Sequence, residues 1–356
     1  MFKKQPKILI YLGNVRVGGA MQVSRALFNY LNKYALPFKY DLYVSRQLAE
    51  QIDFTHLKGS PDIYIGGSRS YSDFLGYINL LQLKYDLVFS LFGPKITLLK
   101  ARKEVSGFAQ LLLLQNLQYG KYTFLQRLKF SIHIFFHSRS QLFFVEADHV
   151  KAKLKSTKRL HKQKVVVSRN VVNPIVKNGL LRFASNLIKD KKKIYLGYCA
   201  GFHPHKNHQI LIKTLPELKR SMNCDVVYLL TLDKSLQHHF PNSTNFICVG
   251  NVPLEKLKSF YTFCDGIVFP SLAECSSAAP LEAMFFKKPL FASNRDFVTE
   301  DCEDYPEYFD PNRPCEYVEA VTNFFNNSKS IVSTHRTKLG SKKKFIEMFD
   351  ILKGEL

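Results

Sequence analysis

The chain has 356 residues, of which 46% are hydrophobic and 13% aromatic, and its formal net charge is +22 at pH 7. This length suffices for two domains with their own cores, and no apolar stretch approaches the roughly 18 residues that a membrane-spanning helix needs. The seven cysteines are odd in number and include no Cys-x-x-Cys pair, which argues against a disulfide framework and against a cysteine-based zinc site.

The positive charge is concentrated in the first half of the chain. Residues 1–179 contain 28 lysines and arginines against 9 acidic residues, whereas the remainder contains 23 against 20. A surface of this sign attracts polyanions such as nucleic acid or an anionic membrane. The start, MFKKQPKILIYLG, runs directly into a strand pattern, so no signal peptide is predicted and a cytoplasmic location is expected.

Short apolar segments alternate with helical patterns in the first half. Residues 7–13 predict a buried strand, a loop then ends in Gly18-Gly19, and residues 21–34 have helical periodicity. A glycine turn before a helix can hold a phosphate, but it is as typical of a plain tight turn. Further strands are predicted at 40–44, 86–91, 111–115, 142–145 and 165–167, and helices at 71–83, 124–136 and 147–154. This alternation favours a parallel sheet covered by helices on both faces.

The segment 121–164 combines aromatic and basic residues. Its phenylalanine-rich helical pattern is interleaved with Lys121, Arg127, Lys129 and Arg139, and seven more lysines and arginines follow between 151 and 164. Such a helix and basic run can lie on an anionic membrane face. A core helix followed by a solvated charged run is the alternative.

The same alternation resumes in the second half, after a linker predicted at 173–192. Strands are predicted at 194–199, 226–230, 246–249 and 266–269, and helices at 209–218, 316–325 and 341–352. Lys206 lies in a strand-to-helix loop, where an ammonium suits a pyrophosphate. His203, His205 and His208 share this loop, but no acidic or cysteine partner is nearby, so a metal site is not favoured.

The segment 265–294, DGIVFPSLAECSSAAPLEAMFFKKPLFASN, organises the second half. A buried strand is followed by a loop and by a helix whose cap and first turn are predicted at Ser276, Ser277 and Pro280. Glu274 falls in the loop and Glu282 in the first helical turns, so both carboxylates can face the space beyond the strand ends, where ligands bind in open parallel sheets. A carboxylate at the start of a helix can also serve only to interact favourably with the helix dipole, which stabilises the helix by roughly 0.3–1 kcal/mol.

This segment resembles the signature of the family 4 retaining glycosyltransferases, which have the GT-B fold. The family pattern is a strand ending in Pro-Ser, a glutamate, seven residues, a second glutamate, then Ala-Met and Lys-Pro. Glu274 and Glu282 match the glutamates, and the flank is matched by Ala283, Met284, Lys288 and Pro289. Cys275 and Ser277 stand where the family usually has glycines, which let the backbone approach the donor.

The resemblance implies two Rossmann-like α/β domains with parallel sheets that face each other across a cleft. Residues 1–172 would form an acceptor-binding domain and residues 173–335 a nucleotide-sugar-binding domain. Residues 336–356 would form a C-terminal helix that crosses back to the first domain. The first-domain histidine of many family members has no counterpart, because Gln115-Asn116 stand at the comparable strand end.

The resemblance also implies roles for individual residues. Glu274 would contact the donor sugar and, with Lys206, form the catalytic set, while Glu282 would hold the ribose hydroxyls. The other donor-binding positions would be Gly18, Gly19, Gly201, Gly250, Ser276, Ser277 and Ala278. Gly201 stands where the family usually has a second phosphate-binding cation, an arginine.

The expected activity is transfer of a sugar, with retention, from a nucleotide-diphosphate sugar to a glycan acceptor. The basic first half favours a lipid-linked acceptor of cell-envelope polysaccharide synthesis, such as lipopolysaccharide or capsule, at the inner face of the membrane. No cofactor is expected, and no divalent metal, because the chain contains no Asp-x-Asp pair. The alternatives are a GT-B sugar-nucleotide epimerase and a basic nucleic-acid-binding protein, although no nucleic-acid motif is present.

Overall fold

The chain folds into two units that are each built around a parallel sheet. The computed structural model describes residues 5–16, 18–66, 82–94, 99–114, 123–179, 181–184, 187–241, 244–327 and 341–356. Unit 1 comprises the described residues up to 170 together with 341–356, and unit 2 comprises those between 171 and 327. Most of the predicted helix at 71–83, and the pair Gln115-Asn116, lie outside the described residues.

Unit 1 contains a seven-stranded sheet in the order β3-β2-β1-β4-β5-β6-β7, and all of its strand pairs are parallel. The strands are Lys7–Leu12 (β1), Lys39–Ser45 (β2), Ile63–Gly66 (β3), Lys84–Ser90 (β4), Lys100–Gly107 (β5), Leu142–Val145 (β6) and Lys164–Val167 (β7). The apolar residues of β1 are buried on both faces of the sheet, as expected for a strand covered by helices on each side.

The helices of unit 1 connect these strands and cover the sheet. They are Gly19–Lys33 (α1), Arg46–Ala49 (α2), Phe124–His137 (α3), Asp148–Ser156 (α4) and Ser341–Gly354 (α11). The C-terminal helix α11 packs against α1, where the ring of Tyr30 lies 5.7 Å from the rings of both Phe345 and Phe349. Among the described residues, none of the helices combines the length and the apolar character required to cross a bilayer.

The strand predicted at 111–115 is wrong. Leu111–Leu113 form a 3-10 turn, and the sheet position belongs to β5, whose sequence KARKEVSG is charged in its first half. The structure accommodates these charges in ion pairs, because Lys103 contacts the Glu355 carboxylate at 3.3 Å and Arg139 contacts Glu104 at 3.0 Å. Both partners are distant in sequence, so hydrophobic periodicity could not reveal this strand.

Unit 2 repeats the arrangement with six parallel strands in the order β10-β9-β8-β11-β12-β13. The strands are Lys193–Tyr198 (β8), Asp225–Leu230 (β9), Phe246–Cys248 (β10), Gly266–Phe269 (β11), Leu290–Ser293 (β12) and Glu307–Phe309 (β13). In both sheets the strand order reverses beside the first strand, as in Rossmann-like folds, and ligands bind at this topological switch point.

The helices of unit 2 are Pro174–Asn178 (α5), His208–Met222 (α6), Leu254–Phe263 (α7), Ala278–Phe285 (α8), Asp296–Cys302 (α9) and Pro314–Asn326 (α10). Ser277 is the N-cap of α8 as predicted, and the helix ends at Phe285, two residues before Lys287, whose φ is 52°. The next residue, Lys288, donates its ammonium to the Cys264 carbonyl at 2.8 Å and so ties α8 to the end of α7. Helices α7 and α9 were not predicted from the sequence.

Gly107 provides a test of the packing in unit 1, because a Cβ there would overlap the carbonyl oxygen of Leu91. We expect Gly107→Ala to lower the free energy of unfolding by about 1–3 kcal/mol, the usual cost of overpacking. Gly354→Ala is the control, since its Cβ would meet nothing within 4 Å. The urea midpoints of the two variants should differ clearly, and equal midpoints would contradict this backbone contact.

Candidate functional site

The loops that follow β8 and β11 meet at the topological switch point of unit 2. Lys206 lies in a 3-10 turn, Pro204–Lys206, after β8, and Glu274 lies in the loop after β11. The backbone N–H of Leu272 donates to the carbonyl of His205 at 2.7 Å and joins the two loops directly. The fold therefore brings together two sequence-predicted residues that are 68 positions apart.

Lys206 and Glu274 form an ion pair between the Nζ and Oε1 atoms. Their side chains are only 14% and 10% exposed, and the Lys206 ammonium also lies 5.9 Å from the ring centroid of Phe269. A charge that is largely withdrawn from water must be paired, and removing one partner of such a pair is strongly unfavourable. The pair therefore holds a cation and an anion in defined positions at the switch point.

The turn that presents Lys206 is held by three further contacts. The Tyr198 hydroxyl donates to the Lys206 carbonyl at 2.6 Å and lies 3.2 Å from the Ser271 hydroxyl. Asn207 adopts a left-handed conformation, with φ 55° and ψ 39°, and its side-chain amide donates to the Pro311 carbonyl at 2.9 Å. These contacts connect the turn to β8, to the loop after β11 and to the loop after β13, so the ammonium is preorganised.

Glu282 lies on α8 and is 3% exposed. The Tyr261 hydroxyl donates to its Oε2 atom at 2.7 Å, whereas Oε1 has no hydrogen-bond partner among the described residues. Burial raises the pKa of Glu282 to about 7, and the Tyr261 hydrogen bond opposes part of that rise. A buried carboxylate oxygen without a partner is costly, and a hydroxyl donor supplied by a ligand would satisfy it.

Tyr261 was missed by the sequence analysis, although it positions Glu282. It lies on α7, and its hydroxyl, which donates to Glu282, also lies 3.4 Å from the Ala279 carbonyl of α8. The apolar spacing of Leu254, Leu257 and Phe260 would have revealed this helix. Nothing in the local sequence indicates that the tyrosine reaches Glu282, because that contact depends on how α7 and α8 pack.

The predicted glycines occupy loops and helix starts. Gly18 and Gly250 have φ angles of 70° and 84°, and a Cβ at either would meet nothing within 4 Å. A Cβ added at Gly201 would lie 3.3 Å from the His203 ring. Gly18 and Gly19 precede and begin α1 in unit 1, whereas Gly201 and Gly250 lie in unit 2.

The predicted residues of the segment 276–278 lie at the start of α8. Ser277 is the N-cap without a side-chain capping bond, and Ala278 is the first helical residue. The Ser276 hydroxyl donates to the Asp301 carboxylate at 3.3 Å. The free backbone N–H groups at the start of α8 therefore belong to the same β11-to-α8 connection that carries Glu274.

The histidines of the Lys206 loop are close to one another. The His203 and His205 rings stack at 5.5 Å, and burial lowers the pKa of His205 and of His208 to about 4 in each case. His205 and His208 are therefore neutral at physiological pH. No group of three His, Cys, Asp or Glu side chains that could hold a metal ion occurs in the part of the chain that the structure describes.

Residues 182–344 match the model of the family Glycosyl transferases group 1. This stretch is slightly less than half of the chain, and it contains Lys206, Glu274 and Glu282. The chain carries a group 1 glycosyltransferase domain. The resemblance found in the sequence is confirmed at the level of this family. A comparison with curated protein sequences gives no significant match.

Solved structures share the architecture of this chain over almost its whole length. A sucrose-phosphate synthase from Thermosynechococcus elongatus is 12% identical, with a TM-score of 0.69 and 99% of both chains covered. HepE of Anabaena, in complex with UDP-glucose, is 15% identical with a TM-score of 0.65, covering 98% of this chain and 100% of its own. The apo lipopolysaccharide outer core galactosyltransferase WaaB is 13% identical with a TM-score of 0.52, covering 98% and 94%. The fold is GT-B, as the sequence predicted.

The raised pKa of Glu282 predicts a pH-dependent stability difference. The folded chain keeps the Glu282 proton up to about pH 7, whereas the unfolded chain loses it near 4.5, so this group lowers stability as the pH rises through that window. Glu282→Gln carries no such proton. We expect its free energy of unfolding, relative to wild type, to increase between pH 5 and pH 8 by on the order of 2 kcal/mol.

Urea unfolding at the two pH values measures this difference. Glu217→Gln, which changes an exposed carboxylate on α6, is the matched control and should show a constant difference from wild type. A difference for Glu282→Gln that does not change with pH would disprove the burial of an ionisable Glu282.

Proposed function

We propose that the protein is a retaining, metal-independent glycosyltransferase of the family 4 type. It moves a sugar from a nucleotide-diphosphate sugar to a glycan acceptor. The observation that carries the proposal is the Lys206–Glu274 ion pair at the switch point of unit 2, inside the family-matched region. The buried Glu282, one of whose oxygens has no hydrogen-bond partner in the described part of the chain, accompanies it. The likeness to HepE, which binds UDP-glucose, supports a nucleotide-sugar donor.

Each of these groups has a role in binding the donor. The Lys206 ammonium binds the diphosphate, with help from the N–H groups at the start of α8. Glu282 accepts hydrogen bonds from the ribose hydroxyls, which satisfy its open oxygen. Glu274 accepts hydrogen bonds from the sugar hydroxyls. The donor thus replaces the ion pair with contacts that compensate both charges.

The same arrangement assists the chemical step. The bond between the anomeric carbon and the diphosphate oxygen breaks, and its electron pair leaves with the nucleotide diphosphate. Lys206 is held in place by Tyr198 and Asn207, so its charge stabilises the departing diphosphate without reorganisation. The acceptor hydroxyl then bonds to the anomeric carbon on the face that the diphosphate left and gives its proton to the departing diphosphate oxygen, which gives retention.

Donor binding is tested with a panel of UDP-, GDP- and ADP-linked sugars. We expect at least one to raise the melting temperature of the wild-type protein by mass action. Lys206→Ala and Glu282→Gln should each weaken its binding at least tenfold, about 1.4 kcal/mol, as measured by calorimetry. Lys213→Ala, which changes an exposed lysine on α6, the helix that follows the Lys206 turn, should bind like wild type.

Two results would overturn the donor assignment. One is undiminished donor affinity in both Lys206→Ala and Glu282→Gln, and the other is equal loss in the Lys213→Ala control. Release of an altered free sugar from the donor without any acceptor would indicate the epimerase instead. The stability measurement of Glu282→Gln separates lost binding from lost folding.

A lipid-linked acceptor, of the kind used in lipopolysaccharide or capsule synthesis, is supported by the surface of α3. Five large apolar side chains of this helix are between 45% and 78% exposed: Phe124, Leu125, Leu128, Ile132 and Phe135. At 100° per residue they form one stripe, with the exposed Arg127 on one side and Lys129 on the other. An apolar stripe flanked by cations matches an anionic bilayer surface. The likeness to WaaB, a lipopolysaccharide galactosyltransferase, agrees with such an acceptor.

Vesicle flotation tests the membrane contact. We expect wild-type protein to float with vesicles containing phosphatidylglycerol and to bind weakly to vesicles of phosphatidylcholine alone. The triple variant Phe124→Ser, Leu128→Ser and Phe135→Ser should lose flotation while keeping donor affinity. Ile188→Ser removes an equally exposed apolar residue of unit 2 and should float like wild type. Unchanged flotation of the triple variant would refute the contact.

A further inference from the structure

The two oxygens of the Glu282 carboxylate have different surroundings. Oε2 accepts a hydrogen bond from the Tyr261 hydroxyl at 2.7 Å, whereas Oε1 is buried and has no hydrogen-bond partner among the described residues. Tyr261 is itself fully buried, and its hydroxyl lies 3.4 Å from the Ala279 carbonyl. Because 3.4 Å is long for a hydrogen bond between oxygens, the hydroxyl proton is donated to Glu282.

Burial and Tyr261 together govern the protonation of Glu282. Burial raises the pKa of this carboxyl to about 7, and the hydrogen bond from Tyr261 opposes part of the rise. The other titratable group that faces Glu282 is the thiol of Cys199, which follows β8 and is kept neutral because burial raises its pKa. The nearby ammonium of Lys288 donates to the Cys264 carbonyl instead. No cation in the described part of the chain therefore pairs with this carboxylate.

Tyr261 also decides which oxygen of Glu282 carries the proton of the neutral acid. Oε2 already accepts the hydroxyl hydrogen of Tyr261, which the phenol retains because burial raises its pKa well above the ordinary value. The acid proton therefore belongs on Oε1. Oε1 is also the oxygen that a ribose hydroxyl would reach, and a protonated carboxyl oxygen is a poor acceptor. The acid proton and the ribose hydroxyl thus compete for one atom.

We propose that Tyr261 is a positioning residue for the donor and that the donor binds as Glu282 loses one proton. The Tyr261 hydroxyl holds Oε2 and leaves Oε1 to the ribose. The O–H bond at Oε1 breaks, its proton passes to the solvent, and the ribose hydroxyl then donates to the carboxylate. The inference rests on the proposed function, in which Glu282 holds the ribose. The affinity for the donor therefore increases with pH.

Calorimetry at pH 6 and pH 8 tests the coupling, with UDP-glucose or the nucleotide sugar that most raises the melting temperature as the probe. The diphosphate of such a sugar is a diester and does not titrate in this range. We expect the wild-type affinity to increase about tenfold, because a carboxyl with a pKa of about 7 is roughly one tenth ionised at pH 6 and nine tenths ionised at pH 8.

Proton release is measured directly by repeating the titration at pH 6 in MES and in imidazole, two buffers with different enthalpies of ionisation. The difference in heat should correspond to the release of close to one proton per donor bound. Protonation of a histidine in the Lys206 loop would have the opposite effect, since a cation there strengthens diphosphate binding at pH 6. The sign of the pH dependence therefore separates Glu282 from these histidines.

Two variants and a matched control assign the effect to the Tyr261–Glu282 pair. In Tyr261→Phe the carboxylate loses a donor, so its affinity for the nucleotide sugar should be several-fold weaker than wild type at pH 7 and recover by pH 9. Glu282→Gln should release no proton and bind equally at pH 6 and pH 8. Tyr228→Phe removes another buried hydroxyl of unit 2, paired with Tyr317 at 2.9 Å, and should behave like wild type.

This inference and the proposed function can fail separately. Equal wild-type affinity at pH 6 and pH 8, without proton release, rules out the coupling, while loss of the donor in Lys206→Ala would still support the donor site. Equal weakening of Tyr261→Phe at pH 7 and pH 9 contradicts the positioning role, because structural damage does not recover with pH. If no nucleotide sugar binds at any pH, the proposed function fails and the inference fails with it.

Discussion

The ion pair between Lys206 and Glu274 is the interaction on which the proposed donor site of unit 2 depends. Both charged groups are largely removed from water. Each therefore requires either the other or a ligand group that carries the opposite charge or donates hydrogen bonds to it. The reversal of strand order beside β8 places the two loops next to each other. In a nucleotide-diphosphate sugar, the diphosphate can pair with Lys206 while the sugar hydroxyls donate hydrogen bonds to Glu274, so one ligand can replace both partners of the ion pair.

The same rule, that a polar group removed from water needs a partner, holds for the carboxylate of Glu282. It is buried, one oxygen is bonded to Tyr261, and its pKa is raised because the second oxygen has lost water without gaining a partner among the described residues. The fold tolerates this cost because α8 and α7 are tied together by Lys288 and by the core around them. Destabilised polar groups of this kind are concentrated at binding sites.

Unit 1 uses positive charge and apolar surface in two different ways. At the carboxyl ends of β1, β2 and β3, Arg16 and Arg46 line a cavity together with Tyr43, whose ring stacks on that of Tyr11. On α3, apolar side chains project outward between cations, which suits a fluid and extended surface. The remaining basic residues of this unit add a general attraction for anions. The excess charge of the first half of the chain therefore has more than one use.

The sequence by itself determined the alternation of strands and helices and the two parallel sheets, and it singled out Lys206, Glu274 and Glu282 as candidate site residues. These follow from apolar periodicity and from local spacing, which neighbouring residues encode. It misplaced the strand at 111–115, because β5 is charged and is stabilised by partners such as Glu355. Only the tertiary structure decided that Lys206 meets Glu274, that Tyr261 reaches Glu282 and that two arginines share a cavity. These contacts join residues that are distant along the chain, and they depend on strand order and helix packing, which no local pattern specifies.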